Sequence, residues 1–274
     1  MAAPLISVEE LHAHPDVMLL DVRYATGGPP GRPAFEAGHI PGAAYVDMDT
    51  DLCALPTDPP GIGGRHPLPS RQDFEAAMRR VGVSGDRLVV AYDDWAGRAG
   101  ARAWWLLRFH GHPQVRVLDG GWHAWLASGG AAEAGPTDPR PGNFTARPGA
   151  MAVVELEDVA AVDLLVDARA PERYAGDHEP VDPVAGHIPG AVNVPTADNL
   201  APDGTFRPVA ELRATYAAVG AVPGADIAVY CGSGVTACHD LLALEAAHVP
   251  AALYAGSFSE WVSDRARPVD PPAR

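Results

Sequence analysis

The sequence predicts an α/β protein built from two tandem copies of one domain, each a mainly parallel sheet flanked by helices. Two observations support this fold class. Short apolar segments of strand length alternate with helical patterns, which is typical of parallel sheets covered by helices on both faces. Several motifs of the first half also recur, in the same order, in the second half. Functional groups are therefore expected at the carboxyl ends of the strands.

The internal repeat is carried by two pairs of motifs. LLDVR at 19–23 recurs as LVDAR at 165–169, and GHIPGA at 38–43 recurs unchanged at 186–191. The spacing between copies is nearly the same for both pairs. Because the Asp-x-Arg and His-Ile-Pro-Gly segments occur in both copies, we interpret their charged side chains as ion pairs and both histidines, His39 and His187, as structural.

A stretch dense in proline and glycine separates the two copies. It reads GPTDPRPG at 135–142, and a further Pro-Gly pair follows. This composition favours an extended segment that runs over the surface. We therefore predict an N-terminal domain at 1–134, a linker at 135–150 and a C-terminal domain at 151–274.

The elements of the first copy can be placed in chain order. Ser7 followed by Glu10 forms a capping box, which indicates the start of a helix. The apolar patterns then predict a strand at 88–92, a helix at 101–109, a strand at 115–118 and a helix beginning near Trp122. Tryptophans at helical positions are most simply core residues; these are Trp104, Trp105, Trp122, Trp125 and Trp261.

Composition and charge exclude several classes of function. A formal net charge of -15 would repel nucleic acid and anionic membrane surfaces. No apolar run approaches the roughly 20 residues that a membrane-spanning helix needs. The N-terminus lacks the basic region of a signal peptide, and three cysteines without Cys-x-x-Cys spacing indicate neither a disulfide framework nor a metal site. We therefore expect a cytoplasmic protein without metal or cofactor, and a monomer, because the two copies can cover each other.

Cys231 is the most informative residue of the chain. It follows the apolar strand IAVY and opens the run CGSGVTA, after which a helical pattern begins. Backbone N–H groups and the positive end of a helix dipole converge at such a junction, and they stabilise an anion there. We therefore expect the pKa of the Cys231 thiol to lie below its free value of about 8.5, which makes it a nucleophilic thiolate.

Three other interpretations of this loop have to be considered. Gly232-x-Gly234-x-x-Ala237 fits a dinucleotide fingerprint, but the next apolar strand is followed by no acidic residue to hold a ribose. A cysteine phosphatase would close the loop with an arginine, and none is present. A plain buried cysteine remains possible, although it leaves the two glycines unexplained.

The first copy is predicted to lack a catalytic cysteine. When the strands VVAY and IAVY are aligned, Asp93 falls opposite Cys231. An aspartate cannot serve as a sulfur nucleophile, so we expect the N-terminal domain to be chemically silent.

With these motifs together, the chain resembles the two-domain rhodanese-type sulfurtransferases along its full length. Loops beginning Cys-Gly-Ser-Gly are typical of the members that use 3-mercaptopyruvate, whereas members that use thiosulfate usually carry basic residues after the cysteine. The resemblance implies two rhodanese-like domains, no cofactor, and transfer of sulfur from 3-mercaptopyruvate to a thiol or to cyanide through a persulfide on Cys231. The acceptor would be a thioredoxin-like protein or a low-molecular-weight thiol.

The resemblance also implies the roles of further residues. Ser233, with His66 and Asp49 from the first copy, would form a relay that handles the proton as pyruvate leaves. Arg173 would bind the carboxylate of the donor. The backbone around the persulfide would come from Gly232, Gly234, Val235 and Thr236.

One departure from the family pattern keeps the choice of donor open. Related enzymes often carry a second arginine in a Glu-Pro-Arg context, where this chain has Glu179, Pro180 and Val181. Two alternatives to a 3-mercaptopyruvate enzyme therefore remain: a thiosulfate sulfurtransferase, and a non-catalytic persulfide carrier or binding module.

Overall fold

The computed structural model describes residues 3–56 and 61–271. The chain divides into two compact units. Unit 1 comprises Met1–Ala54, Pro69–Met151 and Ala201–Phe206, and unit 2 comprises Leu55–Leu68, Ala152–Leu200 and Arg207–Arg274. The division follows the two halves of the sequence except for two short segments, 55–68 and 201–206, each of which belongs to the unit formed mainly by the other half.

Unit 1 contains a five-stranded parallel sheet. Its strands are β1 (Leu5–Ile6), β2 (Met18–Asp21), β3 (Ala44–Tyr45), β4 (Val89–Tyr92) and β5 (Val115–Leu118), in the order β1-β5-β4-β2-β3. The helices are α1 (Val8–His12), α2 (Gly31–Ala37), α3 (Met48–Asp51), α4 (Arg71–Arg80), α5 (Arg98–Phe109) and α6 (Gly121–Ala127). The residues of β2 and β4 are buried throughout, as expected for central parallel strands with both faces covered.

Unit 2 repeats this arrangement with a four-stranded parallel sheet. Its strands are β6 (Leu164–Asp167), β7 (Val192–Asn193), β8 (Ile227–Tyr230) and β9 (Ala252–Leu253), in the order β7-β6-β8-β9. The helices are α7 (Pro171–Tyr174), α8 (Val209–Ala218), α9 (Ala237–Ala246) and α10 (Ser257–Trp261), with short 3-10 helices at Val159–Ala161 and Thr196–Asn199. The predicted α/β class with parallel sheets flanked by helices is confirmed.

The predicted local elements agree closely with the structure. The Ser7–Glu10 capping box is present in full, and β5 has the predicted bounds. Strand β4 begins one residue later than predicted, and α5 begins at Arg98 rather than at residue 101. The earlier start of α5 follows from Gly97, whose φ of 83° makes the turn into the helix.

The residues shared by both copies have structural contacts, as predicted. Arg23 Nε donates to Asp21 Oδ1 at 2.9 Å, and the Arg169 guanidinium donates to both carboxylate oxygens of Asp167. His39 Nδ1 lies 2.9 Å from the Phe35 carbonyl oxygen, and His187 Nδ1 lies 2.7 Å from that of Tyr174. Four of the five tryptophans named above are buried, and Trp122 is half-buried.

The prediction of a linker that runs over the surface is wrong at Phe144 and Ala146. Both side chains are buried in unit 1, where the Phe144 ring meets Phe74 edge to face. Arg79 Nε donates to the Phe144 carbonyl oxygen at 2.6 Å, so this part of the segment is fixed to α4. Burial of the aromatic ring offsets part of the entropy cost of ordering this segment.

Candidate functional site

Cys231 lies directly after β8, at the carboxyl edge of the sheet of unit 2. Its side chain is buried, with 2% of its surface exposed. Its backbone N–H donates to Ser257 Oγ at 3.2 Å, and its carbonyl oxygen accepts from Phe258 N at 3.0 Å. The loop is thus tied to the start of α10, and the backbone around the sulfur is held in one conformation.

The Cys231 sulfur accepts a hydrogen bond from the loop itself. Gly234 N lies 3.1 Å from Cys231 Sγ and donates to it. Gly234 has a φ of 76°, and a Cβ atom there would collide with the Ala255 carbonyl oxygen. Only glycine tolerates both the positive φ and the close carbonyl oxygen. Gly234 therefore allows its N–H to face the sulfur. Val235 is buried, and Thr236 is the N-cap residue of α9.

Ser233 and His66 meet in the structure. Ser233 Oγ lies 2.7 Å from His66 Nδ1, and both side chains are buried. These two residues are separated by more than half of the chain, and the resemblance alone predicted that they would act together. A hydroxyl hydrogen-bonded to an imidazole can pass a proton in either direction near neutral pH.

The segment that carries His66 is fixed by contacts with α10, all of them inside unit 2. Gly63 N donates to Glu260 Oε1 at 2.6 Å, and Arg65 N donates to Ser259 Oγ at 3.1 Å. Gly64 has a φ of 70°, and a Cβ atom there would overlap the Gly256 carbonyl oxygen. We call residues 61–68 the His66 segment. The missing side chain at Gly64 lets the backbone approach the start of α10 closely, and in this position of the segment His66 reaches Ser233.

Asp49 lies in unit 1, within α3. Its backbone N–H donates to Asp47 Oδ1 at 3.0 Å. Burial and then the negative charge of Asp47 raise the pKa of its carboxyl group. Its action with Ser233 and His66 stays a prediction.

Arg173 lies in α7 and is held by two carboxylates. Its Nη2 donates to Glu179 Oε1 at 2.7 Å and to Asp182 Oδ2 at 3.0 Å, and its Nε also donates to Glu179. Burial raises the pKa of Glu179, but the hydrogen bond from Arg173 and those from two backbone N–H groups outweigh it, so the pKa lies below its ordinary value. Glu179 therefore stays ionised and fixes the guanidinium plane of Arg173.

Arg65 is a residue that the sequence analysis did not identify. Its Nη1 donates to Asp182 Oδ1, so Asp182 bridges Arg65 and Arg173. Arg65 Nη2 lies 2.9 Å, and Arg173 Nη1 3.5 Å, from the point where a Cβ atom on Gly232 would stand. Both guanidinium groups therefore face the residue next to Cys231. The sequence feature that could have pointed to Arg65 is its position directly before His66.

A comparison with protein families identifies the domains. The family model described as "Rhodanese-like domain" matches residues 7–128 and again residues 152–264. The chain belongs to the rhodanese family. The repeat seen in the sequence is a repeat of this domain.

Full-length relatives carry names of two sulfurtransferase activities. A Mycobacterium tuberculosis protein named "Putative thiosulfate sulfurtransferase SseB" is 44% identical over 97% of this chain and 96% of its own length. A Pseudomonas aeruginosa protein named "Probable 3-mercaptopyruvate sulfurtransferase" is 42% identical over 98% of each chain. The crystal structure of SseA from Escherichia coli, titled as a 3-mercaptopyruvate sulfotransferase, matches 94% of this chain and 100% of its own with 32% identity and a TM-score of 0.82. This rhodanese is a sulfurtransferase.

The N-terminal rhodanese domain carries Asp93 where the second domain carries Cys231. Asp93 Oδ1 accepts from Trp95 N and Gly97 N, both at 2.8 Å, and Oδ2 accepts from Gly100 N at 2.7 Å. Burial raises the pKa of this carboxyl group, and the three N–H groups partly offset that effect. The aspartate side chain thus accepts from two N–H groups of its own loop and from one in the first turn of α5.

The other cysteines of this rhodanese are in different surroundings. Burial raises the pKa of the Cys53 thiol to about 11, so this thiol is protonated at neutral pH. Cys238 is buried in the first turn of α9, where its thiol donates to the Gly234 carbonyl oxygen at 3.3 Å. All three cysteines are free thiols. Within residues 3–56 and 61–271, no group of three or more His, Cys, Asp or Glu side chains is placed to hold a metal ion.

Proposed function

We propose that this rhodanese takes sulfur from 3-mercaptopyruvate and passes it to a thiol, or to cyanide in the test tube, through a persulfide on Cys231. The observation that carries this proposal is the 2.7 Å contact between Ser233 Oγ and His66 Nδ1, two residues from the nucleophile. The two candidate donors differ in what leaves: an enolate carbon that must be protonated, or sulfite, which needs no proton. A buried hydroxyl–imidazole pair serves the first reaction.

In the first step, the Cys231 thiolate attacks the sulfur of 3-mercaptopyruvate. The new S–S bond forms as the C–S bond breaks, and the electron pair of that bond leaves with carbon as the enolate of pyruvate. The thiol proton of the donor passes through Ser233 and His66 to the enolate carbon, which gives pyruvate. Cys231 is left as a persulfide anion, with the Gly234 N–H beside it and the N-terminus of α9 close in the chain.

In the second step, an acceptor removes the outer sulfur. A thiolate or cyanide attacks that sulfur, the S–S bond breaks, and its electron pair returns to Cys231 as thiolate. No net oxidation occurs in the cycle, and neither step needs a metal or an organic cofactor. We propose a thioredoxin-like protein or a low-molecular-weight thiol as the acceptor in the cell.

The remaining site roles follow from the same proposal. Arg173 binds the donor carboxylate, Asp49 completes the relay with Ser233 and His66, and the N-terminal domain is catalytically silent. The backbone around the persulfide is supplied by Gly232, Gly234, Val235 and Thr236. We place the domains at 1–134 and 151–274, joined by 135–150.

We also propose that the protein is a cytoplasmic monomer that does not bind nucleic acid. Three free cysteines and no disulfide among them fit a reducing compartment. The net charge of -15 opposes binding to nucleic acid. Within the described residues, none of the helices combines the length and apolar character that crossing a membrane requires.

Thiosulfate is the second candidate donor, because two observations favour it. The guanidinium groups of Arg65 and Arg173 both face the residue beside Cys231, and a dianion gains from two cations. The relative from Mycobacterium tuberculosis is also named for thiosulfate. Steady-state kinetics with each donor, and cyanide as the common acceptor, separate the two candidates. A higher kcat/KM for thiosulfate would overturn the choice of 3-mercaptopyruvate.

The persulfide itself is tested by mass spectrometry. Protein treated with 3-mercaptopyruvate should gain the mass of one sulfur atom, and cyanide should remove it. Cys231→Ser should gain none, whereas Cys53→Ala, at a buried thiol outside the site, should behave as the wild type does. If neither small donor loads Cys231 but a desulfurase partner does, the protein is a persulfide carrier and not a donor-cleaving enzyme.

A further inference from the structure

Glu260 is a buried acidic residue to which the proposed mechanism gives no role. It lies in α10, with 6% of its surface exposed. Its Oε1 accepts from Gly63 N at 2.6 Å, and Gly63 stands three residues before His66. Burying a carboxyl group costs free energy unless hydrogen bonds replace those that water provides. The backbone of the His66 segment supplies such a hydrogen bond, so Glu260 and the segment hold each other in place.

The start of α10 gives this carboxylate a confined position. A Cβ atom on Gly256 would overlap the Glu260 carboxylate, so the side chain can fold back over this residue only because it is glycine. Burial, and then the negative charge of Glu260, raise the pKa of Tyr254, so a phenol that keeps its proton lies near the carboxylate. The confined position fixes the direction in which Oε1 faces Gly63.

The first copy lacks the carboxylate at the equivalent position. When GGWHAW at 120–125 is aligned with GSFSEW at 256–261, Ala124 falls opposite Glu260. The glycine is kept, and a Cβ atom on Gly120 would stand 2.6 Å from that of Ala124. The same turn therefore contains a methyl group in one copy and a carboxylate in the other.

Unit 1 also binds a segment from the other half of the chain, but through a different group. Phe206 N, in the segment 201–206, donates to Asp119 Oδ1 at 2.8 Å. Asp119 directly follows β5 and aligns with Ala255, so this carboxylate comes from the strand end and not from the helix. The segment 201–206 contains no histidine. A helix glutamate bound to an exchanged segment thus occurs in the copy that has the cysteine.

We propose that Glu260 is a positioning residue for proton transfer, which places His66 at Ser233 by holding the Gly63 N–H. The inference rests on the proposed function, in which His66 and Ser233 move the proton of the donor. A shift of the backbone at Gly63 would move the imidazole away from its 2.7 Å contact with Ser233 Oγ. Cys231 is held by contacts with Ser257 and Gly234, so loss of the Glu260 side chain should spare attack on sulfur.

The test gives α10 the residue of the first copy. Glu260→Ala should lower kcat with 3-mercaptopyruvate by about 10- to 30-fold, because a displaced imidazole transfers the proton poorly. The kcat with thiosulfate should fall by less than about threefold, because sulfite leaves without a proton. Glu260→Gln keeps an oxygen that can accept from Gly63 N, so it should recover most of the lost kcat. It also replaces the alanine variant if that variant does not fold.

Two controls in unit 2 separate positioning from stability. Leu212 is fully buried in α8, so Leu212→Ala lowers Tm through the hydrophobic core. Glu211 is exposed and pairs with Arg207, so Glu211→Ala removes an acidic group on the surface. In both controls the ratio of the kcat values for the two donors should stay within about twofold of the wild type. A fall of this ratio in Leu212→Ala as large as that in Glu260→Ala assigns the effect to stability and overturns the inference.

A double-variant cycle shows whether Glu260 acts through His66. If it does, the loss in Glu260→Ala depends on the imidazole, and adding Glu260→Ala to His66→Gln should lower kcat with 3-mercaptopyruvate no further. Losses that multiply in the double variant would mean that Glu260 acts independently of His66. That result overturns the inference.

Amide hydrogen exchange measures the position of the segment without turnover. The N–H groups of Gly63 and Arg65 both donate to α10 side chains. Well below Tm, their exchange should be at least about 10-fold faster in Glu260→Ala than in the wild type, and unchanged in Leu212→Ala. Unchanged exchange at Gly63 in Glu260→Ala overturns the inference, whichever donor the enzyme uses.

Failure of the proposed function gives a different pattern from failure of this inference. A wild-type protein that transfers no sulfur from 3-mercaptopyruvate contradicts the proposed function, while the exchange rates still decide whether Glu260 holds the His66 segment. A wild-type protein that uses 3-mercaptopyruvate, with the same kcat in Glu260→Ala, supports the proposed function and overturns the role of Glu260.

Discussion

The loops that follow β4 and β8 start from the same backbone arrangement and end with different chemistry. Each follows a fully buried four-residue strand and leads into a helix, α5 or α9. In the first copy, the Asp93 carboxylate accepts from three backbone N–H groups, those of Trp95 and Gly97 before α5 and that of Gly100 in its first turn. In the second, Cys231 Sγ accepts one N–H, from Gly234. At the same point of the fold, backbone N–H groups are accepted by a carboxylate in the first copy and by a thiol sulfur in the second.

The residues near Asp93 and near Cys231 also differ in whether they could move a proton. Two residues after Asp93 stands Trp95, where the second loop has Ser233 with its contact to His66. The Asp93 loop therefore has neither a nucleophile nor a hydroxyl that could move a proton. This double difference explains why one exchange should be enough to silence the second loop and not enough to activate the first.

The largest expected effect comes from giving the second loop the residue of the first. Cys231→Asp should reduce sulfur transfer by at least about 1,000-fold, because the carboxylate cannot form a persulfide. It should keep the fold, since a carboxylate is the group that the first loop accepts at this position. Sulfur transfer to cyanide and Tm are measured on the same preparation. Loss of the folded state, in place of loss of activity alone, would show that the two loops are not equivalent.

The next effect concerns the proton. Ser233→Ala and His66→Gln should each lower kcat with 3-mercaptopyruvate by about 100-fold, because the enolate carbon then lacks its proton source. With thiosulfate the same variants should change kcat much less, because sulfite leaves without a proton. The measurement is the ratio of kcat values for the two donors in each variant. Equal losses with both donors would mean that the Ser233–His66 pair holds the loop in place and moves no proton.

A smaller effect is expected in the first loop, on stability and not on activity. Asp93→Asn keeps the shape but turns one acceptor oxygen into an amide donor that faces backbone N–H groups. We expect a loss of about 2 kcal/mol in the free energy of unfolding of unit 1, measured by denaturant titration. Asp94→Asn, at the neighbouring half-exposed residue, is the control and should cost well under 1 kcal/mol. Equal costs in both variants would contradict the role given to the Asp93 contacts.

The smallest effect depends on pH and comes from His110, which follows α5. Its ring is stacked on Phe74, and burial, then the charge of Arg71, lower its pKa from 6.5 to about 4. Between pH 6.5 and pH 4, His110 is protonated in the unfolded chain and neutral in the folded one, so protonation favours unfolding. The stability that the protein has with a neutral His110 is therefore complete above pH 6.5 and is lost as the pH falls toward 4. The residue after α9, in the equivalent place, is Ala247, which does not titrate.

His110→Phe tests this difference between the units. Relative to the wild type, the variant should gain about 1 kcal/mol as the pH is lowered from about 7 to about 5, after allowance for solvent screening. Unfolding free energies at both pH values provide the measurement. A difference between variant and wild type that is independent of pH would show that His110 titrates alike in the folded and unfolded states.

The sequence predicted the features that depend on neighbouring residues. The motifs of the repeat, the Ser7–Glu10 capping box and the strand–loop–helix junction at Cys231 can each be recognised from a few neighbouring residues. Each has its predicted structure. The start of α5 was misjudged by three residues, because the left-handed turn at Gly97 extends the helix backward. The burial of Phe144 was missed because composition alone does not show which surface an aromatic side chain can reach.

The position of Arg65 beside Gly232 was out of reach for a different reason. Its position depends on Gly63 and Gly64 lying against α10 and on Glu260 accepting the Gly63 N–H, contacts between residues nearly 200 positions apart. No periodicity encodes such a contact. The absence of an arginine at Val181 was visible in the sequence, but the approach of Arg65 to Gly232 was not.

The His66 segment ties the two halves of the duplicated chain together. It is encoded in the first half and folds with the second, so a protein cut between the two copies would hold the nucleophile on one fragment and the imidazole on the other. Under the proposed mechanism, the N-terminal copy is therefore needed although it carries Asp93 where the other copy carries Cys231. Sulfur transfer would then depend on residues encoded in both repeats, and neither repeat alone would hold the complete set.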